Sequence, residues 1–242
     1  MYAVFKRELF SLLNSLMAYI TIGVFLLVSG LLLWFFPDTS MLEYGYAEMN
    51  GFFSLAPFLF MFLIPAITMR SFAEERREGT YVLLASRPLT DWQIILAKYF
   101  ACFVLVFFSL IPTLLYYFSL VELGLPKGNI DGGAVAGSYI GLLLLGSAFV
   151  AIGIFSSSIT KNQVIAFAVA VFISFIVYSG FDALSKIFSL NIFESIFMWL
   201  SVNQHFQSMG RGVIDTRDLV YFITFVIVFL GLTKLVLGGR KW

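Results

Sequence analysis

The sequence predicts an all-α membrane protein with six transmembrane helices. Of its 242 residues, 60% are hydrophobic and only 12% charged, and the mean hydropathy is +0.96. Soluble domains average about 45–50% apolar and about 25% charged residues. A globule of this length cannot hide so much apolar surface from water, whereas lipid tails solvate it. The third observation is positional. Six apolar stretches reach the roughly 20 residues that a spanning helix needs: 16–36, 52–69, 94–120, 136–157, 164–184 and 219–237.

Taken in order, residues 1–15 come first. Charges at Lys6, Arg7 and Glu8 alternate with apolar Val4, Leu9, Leu12 and Leu13, the pattern of an interfacial helix lying on the membrane. The first apolar stretch is too long for a signal-peptide core and lacks a small-residue cleavage site, so it reads as an uncleaved span. Thr90, three residues before Gln93, marks a capping-box start for the third span. The fourth carries Gly137 and Gly141 as G-x-x-x-G, followed by Gly146 and Gly153. Small residues at that spacing let helices approach closely, either inside the subunit or across a dimer face. Residues 192–200 are apolar but too short to cross, and Glu194 interrupts them; such segments are re-entrant or interfacial.

With six spans, Lys6, Arg7, Arg70, Arg76, Arg77, Arg87, Lys98, Lys161, Lys234, Arg240 and Lys241 fall on one side, against Lys127, Lys186, Arg211 and Arg217 on the other. The positive-inside rule then places both termini in the cytoplasm, with Trp242 as an interface anchor. No soluble stretch, repeat or linker is left over, so residues 1–242 read as one domain.

Much chemistry is missing. Net charge is +1, which gives no bulk attraction for nucleic acid. The single cysteine, Cys102, excludes an internal disulfide and reads as a buried small hydrophobe. The single histidine, His205, cannot pair in an H-E-x-x-H zinc site and reads as a surface or interface residue. Two ionisable groups lie at span ends: Lys98, whose stem can snorkel to the interface, and Asp182. A coupled transporter would show acids at mid-membrane depth. No phosphate-binding G-x-x-x-x-G-K-[ST] loop is present, so any energy comes from outside the chain.

One segment stands out. Residues 70–90 read R-S-F-A-E-E-R-R-E-G-T-Y-V-L-L-A-S-R-P-L-T. Glu74, Glu75 and Glu78 stand at helical spacings from Arg70, Arg76 and Arg77, which predicts salt bridges within one helix. Gly79 is placed to end that helix in a left-handed cap, and Pro88 stops a second short piece. By itself this is a solvated, self-paired loop helix; it is also the shape of a docking surface.

The run from Phe72 to Leu89 resembles the coupling region of ABC-2-type transporter permeases, where an E-x-x-x-G-T-x-x-x-L-x-x-x-P-like pattern follows the second span. The stretch Phe206–Phe222, with Gly212, Asp215, Asp218 and Tyr221, resembles the gliding-motility permeases of Bacteroidota and their nitrous-oxide-reductase-associated relatives, as does F-K-R-E-L at Phe5–Leu9.

That resemblance implies a six-helix, type V exporter-like permease of the bacterial inner membrane, with a cytoplasmic coupling helix and extracytoplasmic re-entrant helices before the last span. It implies no catalysis and no cofactor on this chain, ATP and Mg²⁺ belonging to a cytoplasmic ABC ATPase. A second permease subunit completes a homo- or heterodimer; in gliding-motility systems it carries a large extracytoplasmic domain. By carry-over, Glu74, Glu75, Arg76, Arg77, Glu78, Gly79 and Thr80 contact the ATPase, with Tyr81, Leu83 and Leu84 as anchors. Lysine at positions 75 and 78 is then expected to release the ATPase and leave the membrane part folded. His205, Phe206, Arg211 and Asp215 fall where an extracytoplasmic gate is expected. The rival readings are an ATP-independent scaffold or assembly factor, and an intramembrane enzyme, which the lack of buried His, Asp or Glu pairs disfavours.

Overall fold

The computed structural model describes residues 1–36, 48–80, 89–124, 127–128, 130–187, 197–212 and 215–239, and among these all regular structure is helical. The helices are α1 (Tyr2–Leu13), α2 (Leu16–Trp34), α3 (Asn50–Thr68), α4 (Arg70–Glu78), α5 (Asp91–Leu110), α6 (Leu114–Leu123), α7 (Gly132–Ile159), α8 (Gln163–Phe175), α9 (Phe181–Ile187), α10 (Val202–Met209) and α11 (Thr216–Gly238). A π-helical turn, Ile176–Gly180, joins α8 to α9. The tail Arg240–Trp242 and most of the apolar segment 192–200 lie outside the described residues.

Among the described residues, six helical paths are long and apolar enough to cross a membrane: α2, α3 with α4, α5 with α6, α7, α8 through α9, and α11. Two are less regular than apolar length alone suggested. The third breaks between Leu110 and Leu114, where Pro112 has no N–H to give and its ring crowds the preceding turn. The second does not end in a loop: α3 passes through Met69 directly into α4.

Helix starts follow local chemistry. The first turn of a helix has N–H groups without intrahelical acceptors, and a polar residue just before it supplies one. Thr90 does so in a complete capping box with Gln93. Asp131, Asn162 and Asp215 do the same for α7, α8 and α11. Gly79 ends α4 at φ 72°, a left-handed conformation that suits a residue without Cβ.

The second, third and fourth spans form the core, and α7 is its axis. In its most apolar window 78% of residues are buried, against 17% in α11 and 22% in α2. The glycines of α7 explain the close approach. A Cβ on Gly137 would sit 2.5 Å from the Met209 carbonyl oxygen, and one on Gly141 would sit 3.2 Å from the Phe206 ring. Gly146 receives Val106 of α5 and Gly153 the Thr68 side chain of α3. These four contacts all lie within one chain. Leu27 of α2, Phe172 of α8 and Ile227 of α11 face outward.

Candidate functional site

Helix α4 begins where its own N-cap, Met69, carries no side-chain acceptor. Ser157, near the end of α7, fills that role from another helix. Its Oγ accepts from the backbone N–H of Phe72 at 2.9 Å and of Ala73 at 3.0 Å, and donates to the Met69 carbonyl at 3.0 Å. One turn on, the Arg76 guanidinium donates to the Ser158 carbonyl. Ser71 Oγ lies 3.5 Å from Cys102 Sγ on α5. Helix α4 is thus fastened to α7 along one side and touches α5 along another.

The charges of α4 are used differently from the sequence expectation. Among the described residues, no ion pair joins Glu74, Glu75 or Glu78 to Arg70, Arg76 or Arg77. Instead Glu75 turns inward. Its Oε1 lies 2.9 Å from Lys98 Nζ and 3.2 Å from Arg7 Nη2. Lys98 also reaches Glu8 Oε2 at 3.2 Å, Arg7 pairs with Glu8, and the Lys98 ammonium lies 5.2 Å from the centre of the Phe72 ring. Lys98 is 1% exposed and does not snorkel to the interface. A buried ammonium needs counter-ions, and α1 and α4 bring one each. Two cations and two carboxylates therefore cancel where α1, α4 and α5 meet.

Burial works against ionisation of Glu8, but the Lys98 and Arg7 charges outweigh it and hold that carboxyl below the usual carboxylate range. A cleft of about 380 Å³ opens beside the cluster, lined by Glu8, Arg70, Glu74 and Thr80 among others.

Of the ten residues proposed for ATPase contact, Glu75 and Arg76 are engaged inside the chain. Glu74 is half-buried, while Arg77, Glu78, Gly79 and Thr80 are exposed. Tyr81 and Leu84, like Leu83, lie outside the described residues.

At the other end of the bundle, α10 packs across the start of α7 and divides two spaces. Phe206 is buried against Gly141. Arg211 lines a cavity of about 620 Å³ with Asp182, Asn203 and Gln207. Asp182 accepts from Ser201, Asn203 and Gln204, so this carboxylate is solvated by neutral donors.

His205 points the opposite way and is more than a surface histidine. Its Nδ1 lies 2.6 Å from Asp218 Oδ1, its Nε2 donates to the Trp199 carbonyl at 3.0 Å, and its ring stacks on Tyr221 at 3.9 Å. Asp215 caps α11 through the backbone N–H of Arg217. The four gate candidates therefore occupy one end but do not converge on one point. Asp218, named only within the motif before the last span, and Trp199, within the short apolar segment 192–200, were both missed as partners of His205. Among the described residues, no three metal-ligating side chains cluster.

The region that contains α3 through most of α11, residues 38–235, matches a family model described as ABC-2 family transporter protein. The chain belongs to that family. As an ABC-2 permease it is the membrane component of an ABC transporter, a family whose ATP hydrolysis falls to a partner subunit. The match takes in α4, α7 and α10 of the permease, whereas α1, which brings Arg7 and Glu8 to the charge cluster, precedes it. A comparison with curated proteins finds no match for the permease.

Proposed function

We propose that this chain is a non-catalytic permease subunit that transmits ATP-driven movement of a cytoplasmic ABC ATPase, and that α4 is the lever. The observation that carries this reading is how α4 is held. One side is fastened to the end of α7 and, through Glu75, to Lys98 of α5 and Arg7 of α1, while Arg77, Glu78, Gly79 and Thr80 remain open at its free end. A force applied at that end reaches the core without first bending a loop. Polar contacts there would set register and partner choice. Both termini then lie in the cytoplasm and α10 on the opposite side of the inner membrane. A second permease subunit covers part of the exposed surface of α2, α8 and α11, and the motif resemblance favours a heterodimer serving gliding motility or envelope export.

The test is purification from native membranes, under oxidising conditions, of one variant with a cysteine at Glu78 and another with a cysteine at Gln207 of α10, each with cysteines introduced at exposed positions of the ATPase. The reading predicts that a soluble ATPase subunit co-elutes and becomes disulfide-linked through position 78. Absence of any ATPase in the eluate sinks it. So does co-elution together with cross-linking confined to the α10 end.

A further inference from the structure

Between the π turn of the fifth span and α11 runs a cleft of about 860 Å³. That volume falls in the usual range of ligand sites, roughly 300–1,000 Å³. It is open because α11 packs chiefly on α7 and on α5, while α10 and Trp199–Leu200 roof it at one end. Its walls are apolar along their length, with Val177 and Phe181 on one side and Val220, Val228 and Phe229 on the other.

Three features distinguish it from an ordinary lipid-facing groove. The first is length. Arg217 at the mouth and Phe229 at the far end are 12 residues apart on one helix, about 18 Å at roughly 1.5 Å per residue. One leaflet of a hydrocarbon core about 30 Å thick is about 15 Å deep. The second is the mouth. Trp199, 69% exposed, and Tyr221 stand there, aromatic residues of the kind that settle at headgroup level. They are held in place: the Tyr221 hydroxyl donates to the Leu200 carbonyl at 2.7 Å, and His205 joins the Trp199 carbonyl to Asp218. The third is charge. Arg217 is exposed and has no ion-pair partner among the described residues. Its neighbours Asp215 and Asp218 each turn one oxygen elsewhere, Asp215 to the Arg217 backbone N–H and Asp218 to His205. A guanidinium fork suits a phosphate. The apolar cleft between α2 and α3, about 250 Å³ and including Val24 and Phe62, has no charged residue in its lining.

We infer that this cleft is a phospholipid site, in which one acyl chain lies along α11 and the headgroup phosphate meets Arg217. The proposal is independent of ATPase docking, because it uses only the membrane-embedded part.

Native mass spectrometry of the full permease released from nanodiscs of phosphatidylethanolamine and diacylglycerol tests it. The wild type retains one phospholipid per chain. Val228→Trp, which fills the cleft at an already exposed position, loses it at least tenfold, whereas Ile227→Trp on the outer face of the same helix does not. Arg217→Gln reduces retention of phosphatidylethanolamine several-fold and leaves that of phosphate-free diacylglycerol unchanged. Equal melting temperatures for the four proteins show that folding is intact; if Val228→Trp melts lower, Val220→Phe takes its place. Equal retention by wild type and the filled variant overturns the proposal, as does equal loss of both lipids in Arg217→Gln. Disulfide formation between two chains carrying Val220→Cys also overturns it, since a second copy would then cover the cleft.

Discussion

Lys98 Nζ lies 2.9 Å from Glu75 Oε1, with the lysine on the third span and the glutamate on α4. The pair closes a triangle whose third corner is Glu8 on α1. Because Lys98 is wholly buried, these carboxylates are part of the folded core of the permease, although sequence alone assigned Glu75 to the surface.

Removing the ammonium leaves two carboxylates facing each other with only Arg7 between them. Breaking a buried pair by deleting one partner costs about 3–5 kcal/mol. Lys98→Met is expected to lower stability by that order, and Lys98→Met combined with Glu75→Gln and Glu8→Gln to recover much of it. Thermal melting in detergent checks both; an unchanged Tm in the single variant would refute the triangle.

Lysine substitutions separate the two kinds of α4 residue. Glu75→Lys sets a third cation against Lys98 and Arg7 and should destabilise the chain before any partner is considered. Glu78→Lys alters an exposed side chain and should leave stability within about 0.5 kcal/mol of wild type, as surface changes usually do. Comparing melting with ATPase co-elution in both variants distinguishes a folding defect from a docking defect.

The Ser157 hydroxyl serves three backbone groups of α3 and α4. Ser157→Ala removes the hydroxyl acceptor that the N–H groups of Phe72 and Ala73 share, and each buried hydrogen bond lost costs about 0.5–1.5 kcal/mol. Hydrogen exchange at those two amides should rise by an order of magnitude or more, while exchange in the middle of α7 is unchanged.

Glycine positions along the spans differ sharply. Gly137→Ala drives a methyl into the Met209 carbonyl and should cost about 1–3 kcal/mol by overpacking. Gly231 has nothing within 4 Å of its added Cβ, so Gly231→Ala should be neutral or stabilising by up to about 1 kcal/mol from helix propensity. Paired melting curves decide it, and equal effects would contradict the packing described.

Acid should weaken the α1 attachment. The Glu8 carboxyl titrates below its ordinary value in the folded state, so its contribution is complete above that ordinary value and disappears as pH falls through the lowered one. Stability of wild type should therefore drop more steeply than that of Glu8→Gln over this acidic window. Parallel slopes would show that Glu8 is not held by Lys98 and Arg7.

Sequence alone determined that the permease lives in lipid, that six stretches can span, that Thr90 caps the third and that Gly79 ends α4. These are local properties: apolar length, capping chemistry and tolerance of positive φ act over a few neighbouring residues and are written in them. Partner choice was not legible. Glu74, Glu75 and Glu78 are equivalent by helical spacing to Arg70, Arg76 and Arg77, and only the packing of α1 and α5 beside α4 decided that Glu75 belongs to Lys98. In the same way, only the crossing of α10 over α7 set His205 against Asp218 and left the cleft beside α11 open. A buried charge takes whichever counter-ion the tertiary fold brings within about 4 Å, and that distance is fixed by residues far away in the chain.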